Sequence, residues 1–191
     1  MKNRVFPLTI ISLFTLISFV AALQTPHSAQ VAFASMSQDP QDSVAKEVPE
    51  SCPVTKPTAH PFVPPVPYPI LTGPDGFWFG TEKLWIQLPT DGTWKGLPHY
   101  RPTDTAFRQK LLWWREGYDW HDYQPPLKVT GKRLDFPAPP LATDEHANGG
   151  WTDDRDHPFI VVGINIPTLG CWKITGRFED GELSYVIWVT Q

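Results

Sequence analysis

The chain has 191 residues and a formal net charge of −4, and it contains 22 prolines and 9 tryptophans. An acidic chain without a run of Lys or Arg gives neither nucleic acid nor an anionic membrane an electrostatic reason to bind, so we expect neither as a partner. Prolines are spread throughout, and apolar residues do not keep a helical spacing beyond two turns. This pattern predicts an all-β protein.

Residues 1–34 have the pattern of a secretory signal peptide. Lys2 and Arg4 precede 19 residues that are all apolar, Pro, Ser or Thr. Small residues then give two candidate cleavage sites, after Ala34 and after Ala22. The alternative is an uncleaved anchor, because 19 residues approach the length that spans a bilayer. We expect a secreted or periplasmic protein, with no stable membrane anchor once the leader is cleaved.

Two segments separate the leader from the folded part. Residues 35–50 are polar and lack periodicity, as in a disordered linker. Residues 51–71 form a proline-rich arm, since eight prolines between Pro49 and Pro69 favour extended polyproline II backbone. Apolar side chains between the prolines predict that the arm lies across its own domain. The alternative is that the arm is a ligand for an aromatic groove on a partner.

Residues 72–191 are predicted to form an antiparallel immunoglobulin-like β-sandwich of about seven strands. Short β-like runs joined by turns of Gly and Pro cover residues 77–80, 83–88, 107–116, 127–135, 159–166, 171–178 and 182–189. Two long loops are predicted between them, at 92–105 and at 136–157.

The last two of these runs form a predicted hairpin. Asp180-Gly181 is a dipeptide that favours a two-residue turn, and this turn would place Phe178 opposite Leu183. One face of the hairpin is then apolar and packs on the core. The other face is mixed and carries Cys171.

Cys52 and Cys171 are the two cysteines of the chain. In an exported protein an even number of cysteines favours a disulfide. The alternative is two separate thiols, with Cys171 packed under a sheet. A bridge would run over the outside of the terminal hairpin and would hold the proline-rich arm there.

The segment 167–176, with Gly170-Cys171-Trp172 at its centre, resembles the terminal hairpin of bacterial exported immunoglobulin-like domains, in which a Pro-x-x-Gly turn leads into the penultimate strand. The longer segment 52–189, with its Trp-rich run at 110–120, resembles an uncharacterised family of secreted bacterial proteins. The resemblance implies the sandwich fold and implies no activity.

Signals for catalysis and for metal binding are weak. The second long loop carries residue types that bind divalent cations, namely Asp153, Asp154, Asp156 and His157, but their spacing fits neither an EF-hand nor a zinc site. Glu82 and Glu116 could act as paired carboxylates, and no Gly-x-Ser-x-Gly elbow is present. We expect no cofactor and no enzymatic activity. A metal-dependent hydrolase that uses Asp153 and His157 is the second alternative.

Aromatic side chains give the strongest indication of binding. Trp94, Trp120 and Trp151 are predicted to lie in loops, where exposed rings stack on sugars or anchor a protein partner. The alternative is that these rings cover the ends of the sandwich. We predict an exported, non-catalytic binding or structural module whose partner is an envelope protein or a glycan. A carbohydrate-binding module that uses these three tryptophans is the first alternative.

Overall fold

Ten β-strands make up the regular structure of the computed structural model, which describes residues 47–68, 73–151 and 157–191. In chain order they are β1 (Gly76–Thr81), β2 (Leu84–Pro89), β3 (Thr93–Lys95), β4 (Phe107–Trp114), β5 (Lys128–Arg133), β6 (Ala142–Thr143), β7 (Asn148–Gly150), β8 (Phe159–Ile166), β9 (Gly170–Phe178) and β10 (Gly181–Thr190). The described residues contain no helix, and therefore none that could cross a membrane. The all-β prediction is confirmed. The predicted signal peptide and residues 35–46 of the predicted linker lie outside the described residues.

The strands form two sheets. In sheet A the order is β1-β2-β4-β8-β6, with β7 also paired to β8, and in sheet B the order is β3-β10-β9-β5. Every pair is antiparallel except β3 with β10, which run parallel. The two-sheet all-β architecture matches the prediction, whereas the finer immunoglobulin-like topology stays a prediction.

The core lies between the two sheets and is filled by side chains that alternate along the strands. Trp113 of β4 is fully buried, and its ring centroid lies 6.0 Å from that of Tyr185 in β10. The Trp113 ring also packs directly on the backbone of Gly176 in β9, where a Cβ atom would overlap the indole. A glycine at 176 therefore lets sheet A approach sheet B at the centre of the core.

The terminal hairpin β9–β10 keeps the predicted faces but not the predicted register. Phe178 lies opposite Gly181 rather than Leu183, so the turn is Glu179-Asp180 and the glycine belongs to β10. Glu179 takes a positive φ of 51° in this turn. The prediction was wrong by two residues. Because side chains alternate with a period of two, an even shift leaves each residue on its predicted face.

Two segments that were predicted to be loops contain strands. β3, with Trp94 at its centre, lies within 92–105, and both β6 and β7 lie within 136–157. Each of these strands has only two or three residues and pairs with a long strand, which is distant in sequence for β3 and is the next strand along the chain for β7. Segments this short carry no periodicity that could distinguish them from loops.

The described part of the proline-rich arm, 51–68, lies across both sheets, as predicted. The Thr55 N–H donates to the Val186 carbonyl of β10 at 2.9 Å, and the Thr55 hydroxyl accepts from the Val186 N–H at 2.9 Å. Farther along, Phe62 and Tyr68 pack on Trp85 of sheet A, with ring centroids 5.7 and 5.0 Å from the indole. The arm thus pairs with sheet B and covers part of sheet A.

Cys52 and Cys171 form the predicted disulfide. Both are buried and pack with Trp188 and with partly buried valines of the arm and of β10. Cys171 precedes the core residue Trp172 in β9, so its side chain is on the opposite, outer face of sheet B. The bridge therefore fixes the start of the arm on the outside of this sheet.

Candidate functional site

An open polar cleft of about 740 Å³ lies beside β4 and β8 of sheet A. The loop between β3 and β4 forms one wall, and the residue that follows β6 forms part of another. The cleft is lined by Tyr100, Thr103, Asp104, Thr105, Ala106, Arg108, Asp144 and Asn165. It combines one exposed aromatic ring with guanidinium, carboxylate, amide and hydroxyl groups.

A hydrogen-bonded network around Arg108 forms the base of the cleft. Arg108 of β4 lies directly opposite Asn165 of β8, so the antiparallel register places the two side chains next to each other. The Arg108 Nη1 donates to Asn165 Oδ1 at 3.3 Å, and Nη2 donates to Asp144 Oδ2 at 2.5 Å. Asp144 is itself held in place, because its backbone N–H donates to the Gly163 carbonyl at 2.9 Å.

Gly163 leaves the space that this network occupies. It lies in β8, where a Cβ atom would overlap both the Arg108 guanidinium and the Asp144 carboxylate. The Arg108 side chain is only 15% exposed, and its Nε atom has no acceptor among the described residues. The guanidinium is therefore fixed in position before any ligand arrives.

Tyr100 provides an exposed ring above this network. The residue is 67% exposed, and the Arg108 Cζ atom lies 5.3 Å from the centroid of its ring. The loop that carries it is closed by two hydrogen bonds of 3.0 Å between Arg101 and Asp104, one of which uses the Asp104 side chain. A short, closed loop of this kind holds the ring at the rim of the cleft.

The charges of the cleft favour a neutral polar ligand. The Arg108 charge is already balanced by Asp144, and Asp104 adds a second carboxylate, so an anion would meet no net positive charge. Within the described ranges, no group of three or more His, Cys, Asp or Glu residues is arranged to hold a metal ion. A molecule with several hydroxyl groups and an apolar face would satisfy both the polar base and the ring.

Three tryptophans were predicted to lie in loops and to bind a ligand. The structure places one of them in the core and pairs the other two with each other. Trp94 is only 9% exposed and packs in the core as part of β3, so the prediction of an exposed loop ring was wrong for this residue. Trp120 is half-buried and Trp151 is 46% exposed, with ring centroids 4.8 Å apart and planes inclined at 51°. These two rings form an angled pair rather than a flat platform.

A buried tyrosine supports the backbone beneath this pair. The Tyr118 hydroxyl lies 3.5 Å from the Asp122 carbonyl, and it also packs against Gly149 of β7. Burial raises the pKa of Tyr118, and the neighbouring Asp122 and Asp119 carboxylates raise this pKa further. The phenol therefore stays a hydrogen-bond donor at neutral pH.

The residues proposed for metal binding fall largely outside the described ranges. Asp153, Asp154 and Asp156 belong to the undescribed segment 152–156. His157 is described, and its Nε2 atom lies 2.5 Å from the Pro67 carbonyl of the arm. That ring nitrogen is therefore engaged with the protein itself.

Glu82 and Glu116 line one hollow of about 250 Å³, together with Lys83 and Arg115. The Lys83 and Arg115 side chains form their ion pairs with Asp180 and with Glu179, respectively.

The cleft residues were missed by sequence reasoning because they come from separate parts of the chain. Tyr100, Arg108, Asp144 and Asn165 meet only through the pairing of β4 with β8 and the position of β6. The available signal was a single amide, Asn165, in the otherwise apolar β8, and the polar run Arg108-Gln109-Lys110 in β4. Comparisons with protein-family models, with curated proteins and with solved structures find no match for this chain.

Proposed function

We propose that this protein is an exported, non-catalytic carbohydrate-binding module, and that the sugar binds in the cleft at Tyr100. The observation that carries the proposal is an exposed aromatic ring held beside a half-buried and already oriented Arg108 network. Sugars present hydroxyl pairs at their edges and an apolar C–H face. Side chains of Arg, Asp and Asn match the hydroxyl pairs, and a tyrosine ring matches the C–H face.

The fixed geometry of the network lowers the entropic cost of binding a ligand. Because the guanidinium is held by both Asp144 and Asn165, a ligand does not have to order this side chain when it binds. This preorganisation supports a binding role and requires no reacting group.

Export is part of the proposal. It is supported by the leader pattern at 1–34 and by the disulfide, because disulfides persist mainly in oxidising compartments. Membership of the secreted bacterial family that the chain resembles, and the immunoglobulin-like strand topology, belong to the same proposal. In such a compartment a glycan of the cell envelope would be accessible to the module.

A glycan array followed by titration calorimetry with the best glycan tests this function. We expect binding by the wild-type protein and a loss of about tenfold or more in affinity for Tyr100→Ala, which corresponds to about 1.4 kcal/mol of lost stacking. Phe136→Ala is the matched control. Phe136 is also an exposed ring, at 65%, with the Arg133 Cζ atom 5.5 Å from its centroid, but it does not line the cleft.

Two results would contradict the proposal. The first is the absence of any binding on a broad glycan array by folded, disulfide-bonded protein. The second is glycan binding that survives Tyr100→Ala but is lost in Trp151→Ala, which would move the site to the angled Trp120–Trp151 pair. A protein partner would then be sought for the cleft.

A further inference from the structure

Sheet A opens between β2 and β4. β2 pairs with β1 along its whole length, and β4 pairs with β8 over seven residues. β2 and β4 themselves are joined only at Trp85 with Trp114 and at Ile86 with Trp113. Beyond these two pairs the strands diverge and leave a window in the sheet.

The window is closed at its far end. There the Arg108 N–H of β4 donates to the Pro98 carbonyl at 2.6 Å, and His99 forms a bridge with Phe107. Between the two closed ends, the Lys110 N–H donates to the side-chain oxygen of its neighbour Gln109 at 3.1 Å instead of to a strand. Four residues of β4, Gln109–Leu112, line the opening between its closed ends.

The lining of the window is apolar inside and polar at one side. The cavity has a volume of about 320 Å³ and includes the buried residues Ile86, Leu88, Leu111 and Trp94. Gln87, Gln109 and the exposed Lys110 also border it. Because buried and exposed residues share this cavity, it opens from the surface towards the core. Its volume lies near the lower end of the range of about 300–1,000 Å³ that is common for small-molecule sites.

We propose that the window binds a short alkyl chain whose polar head lies in the neighbouring cleft, so that the ligand is a glycolipid. Arg108 of the cleft and Lys110 of the window are two residues apart on one face of β4, a separation of about 7 Å. A glycoside with its sugar in the cleft and its directly attached alkyl chain in the window would span this distance. The choice of a sugar as the head rests on the proposed function, whereas the alkyl site rests on the lining of the window.

Two matched glycosides test the inference: methyl β-D-glucopyranoside and n-octyl β-D-glucopyranoside, the latter kept below its micelle concentration. Each methylene that leaves water strengthens binding by about fourfold, so the entry of three or four methylenes gives the octyl compound about 100-fold tighter binding. We also expect the NMR resonance of the Trp94 indole N–H to shift with the octyl compound and not with the methyl compound.

A substitution at the opening distinguishes alkyl binding in the window from alkyl binding on other apolar surfaces. Leu112 is half-buried and lines the window, and we expect Leu112→Trp to fill the opening and bring the two affinities within about threefold of each other. Thr130→Trp adds the same indole to the exposed outer face of β5 and should keep the octyl preference. Circular dichroism and thermal unfolding of both variants show whether they remain folded.

Equal affinities for the two glycosides would overturn the inference, whatever the glycan array shows. An octyl preference that persists in Leu112→Trp would overturn it as well, because the chain would then bind elsewhere. If no free glycan binds while the octyl preference is present and is lost in Leu112→Trp, the proposed function fails and the alkyl site stands.

Discussion

The Asp135 carboxylate connects the end of β5 to the disulfide-bearing strand. Its Oδ1 atom accepts from Arg133 Nε at 2.7 Å and from the Cys171 N–H at 3.1 Å, and Oδ2 accepts from Arg133 Nη2 at 3.1 Å. The hydrogen bonds from Arg133, more than the one from the Cys171 amide, hold the pKa of Asp135 below its usual value, although partial burial opposes them. The side chain is 20% exposed, so solvent screens these interactions only in part.

We predict that Asp135→Asn lowers the free energy of unfolding by about 1 kcal/mol at neutral pH. Because the folded-state pKa is lowered, the ionised carboxylate contributes fully above the unfolded-state pKa of about 3.9 and loses its contribution as the pH falls through the folded-state value. The difference between wild type and variant should therefore vanish in acid. Urea unfolding across this pH range measures it.

The exposed Glu50 provides the control for this comparison. Glu50→Gln removes a carboxylate of the same charge that lies on the protein surface, and we expect a change within about 0.5 kcal/mol at every pH. A destabilisation of Asp135→Asn that stays constant down to strong acid would show that the effect comes from packing and not from the ionised carboxylate.

At the scale of single elements, the hairpin β9–β10 shows what sequence can and cannot specify. The alternation of apolar residues was sufficient to predict both faces, because a side-chain period of two depends on no partner. The register depended on the turn, and the Asp180-Gly181 dipeptide suggested a turn one residue too late. Glu179 instead takes the left-handed conformation, and its carboxylate pairs with Arg115 at 2.8 Å, a tertiary contact that no local pattern contains.

The proline-rich arm is an element held by two aromatic anchors. Tyr68 is 7% exposed, packs edge-on against Trp85 and donates its hydroxyl to the Arg115 carbonyl at 2.7 Å. Burial raises the pKa of Tyr68, as does Glu116, while Arg115 lowers it, so the phenol remains a donor at neutral pH. The second anchor is the tilted contact of Phe62 with the same indole.

We predict that Tyr68→Ala lowers the free energy of unfolding by about 2–4 kcal/mol, since a large buried ring is lost from the surface of sheet A. Tyr68→Phe should cost only about 0.5–1.5 kcal/mol, which is the contribution of one hydrogen bond. The measurement is urea unfolding followed by tryptophan fluorescence, which should also shift to the red in Tyr68→Ala as Trp85 becomes exposed to water.

Val66 gives a matched control within the arm, because it is 90% exposed. Val66→Ala should change the stability by less than about 0.5 kcal/mol. Equal stabilities for Tyr68→Ala and Val66→Ala would show that the Tyr68 side chain contributes no more to the fold than an exposed side chain of the arm.

At the scale of the whole molecule, the high tryptophan content reflects more than one apolar cluster. Trp113 and Trp172 are buried between the sheets, whereas Trp78 and Trp85 form a second cluster with Tyr68 beneath the arm. Trp188 belongs to a third cluster around the disulfide. Trp113 and Trp114 are adjacent in β4, so their side chains lie on opposite faces of sheet A. The cleft could not be predicted, because its residues meet only after β4, β8 and β6 have paired in sheet A.

The disulfide joins positions 119 residues apart, and so it constrains nearly the whole folded part of the chain. In the chain-entropy model, a loop of this length gives a stabilisation of up to about 5 kcal/mol, because the unfolded chain loses most of its freedom. We predict that reduction lowers the free energy of unfolding by a large part of this amount. Urea unfolding of the oxidised protein, and of protein unfolded and refolded with excess dithiothreitol, measures the difference.

The double variant Cys52→Ala/Cys171→Ala distinguishes the loss of stability caused by losing the cross-link from any other effect of dithiothreitol. It should be about as unstable as the reduced wild type and should not respond to dithiothreitol. Both cysteines are buried, at 5% and 0% exposure, so the oxidised protein should also resist reduction until it unfolds. If the reduced and oxidised proteins unfolded at the same urea concentration, the contacts of the arm alone would hold it on sheet B. The disulfide would then add nothing to the stability of the fold. Only its presence, and not a contribution to stability, would then support export.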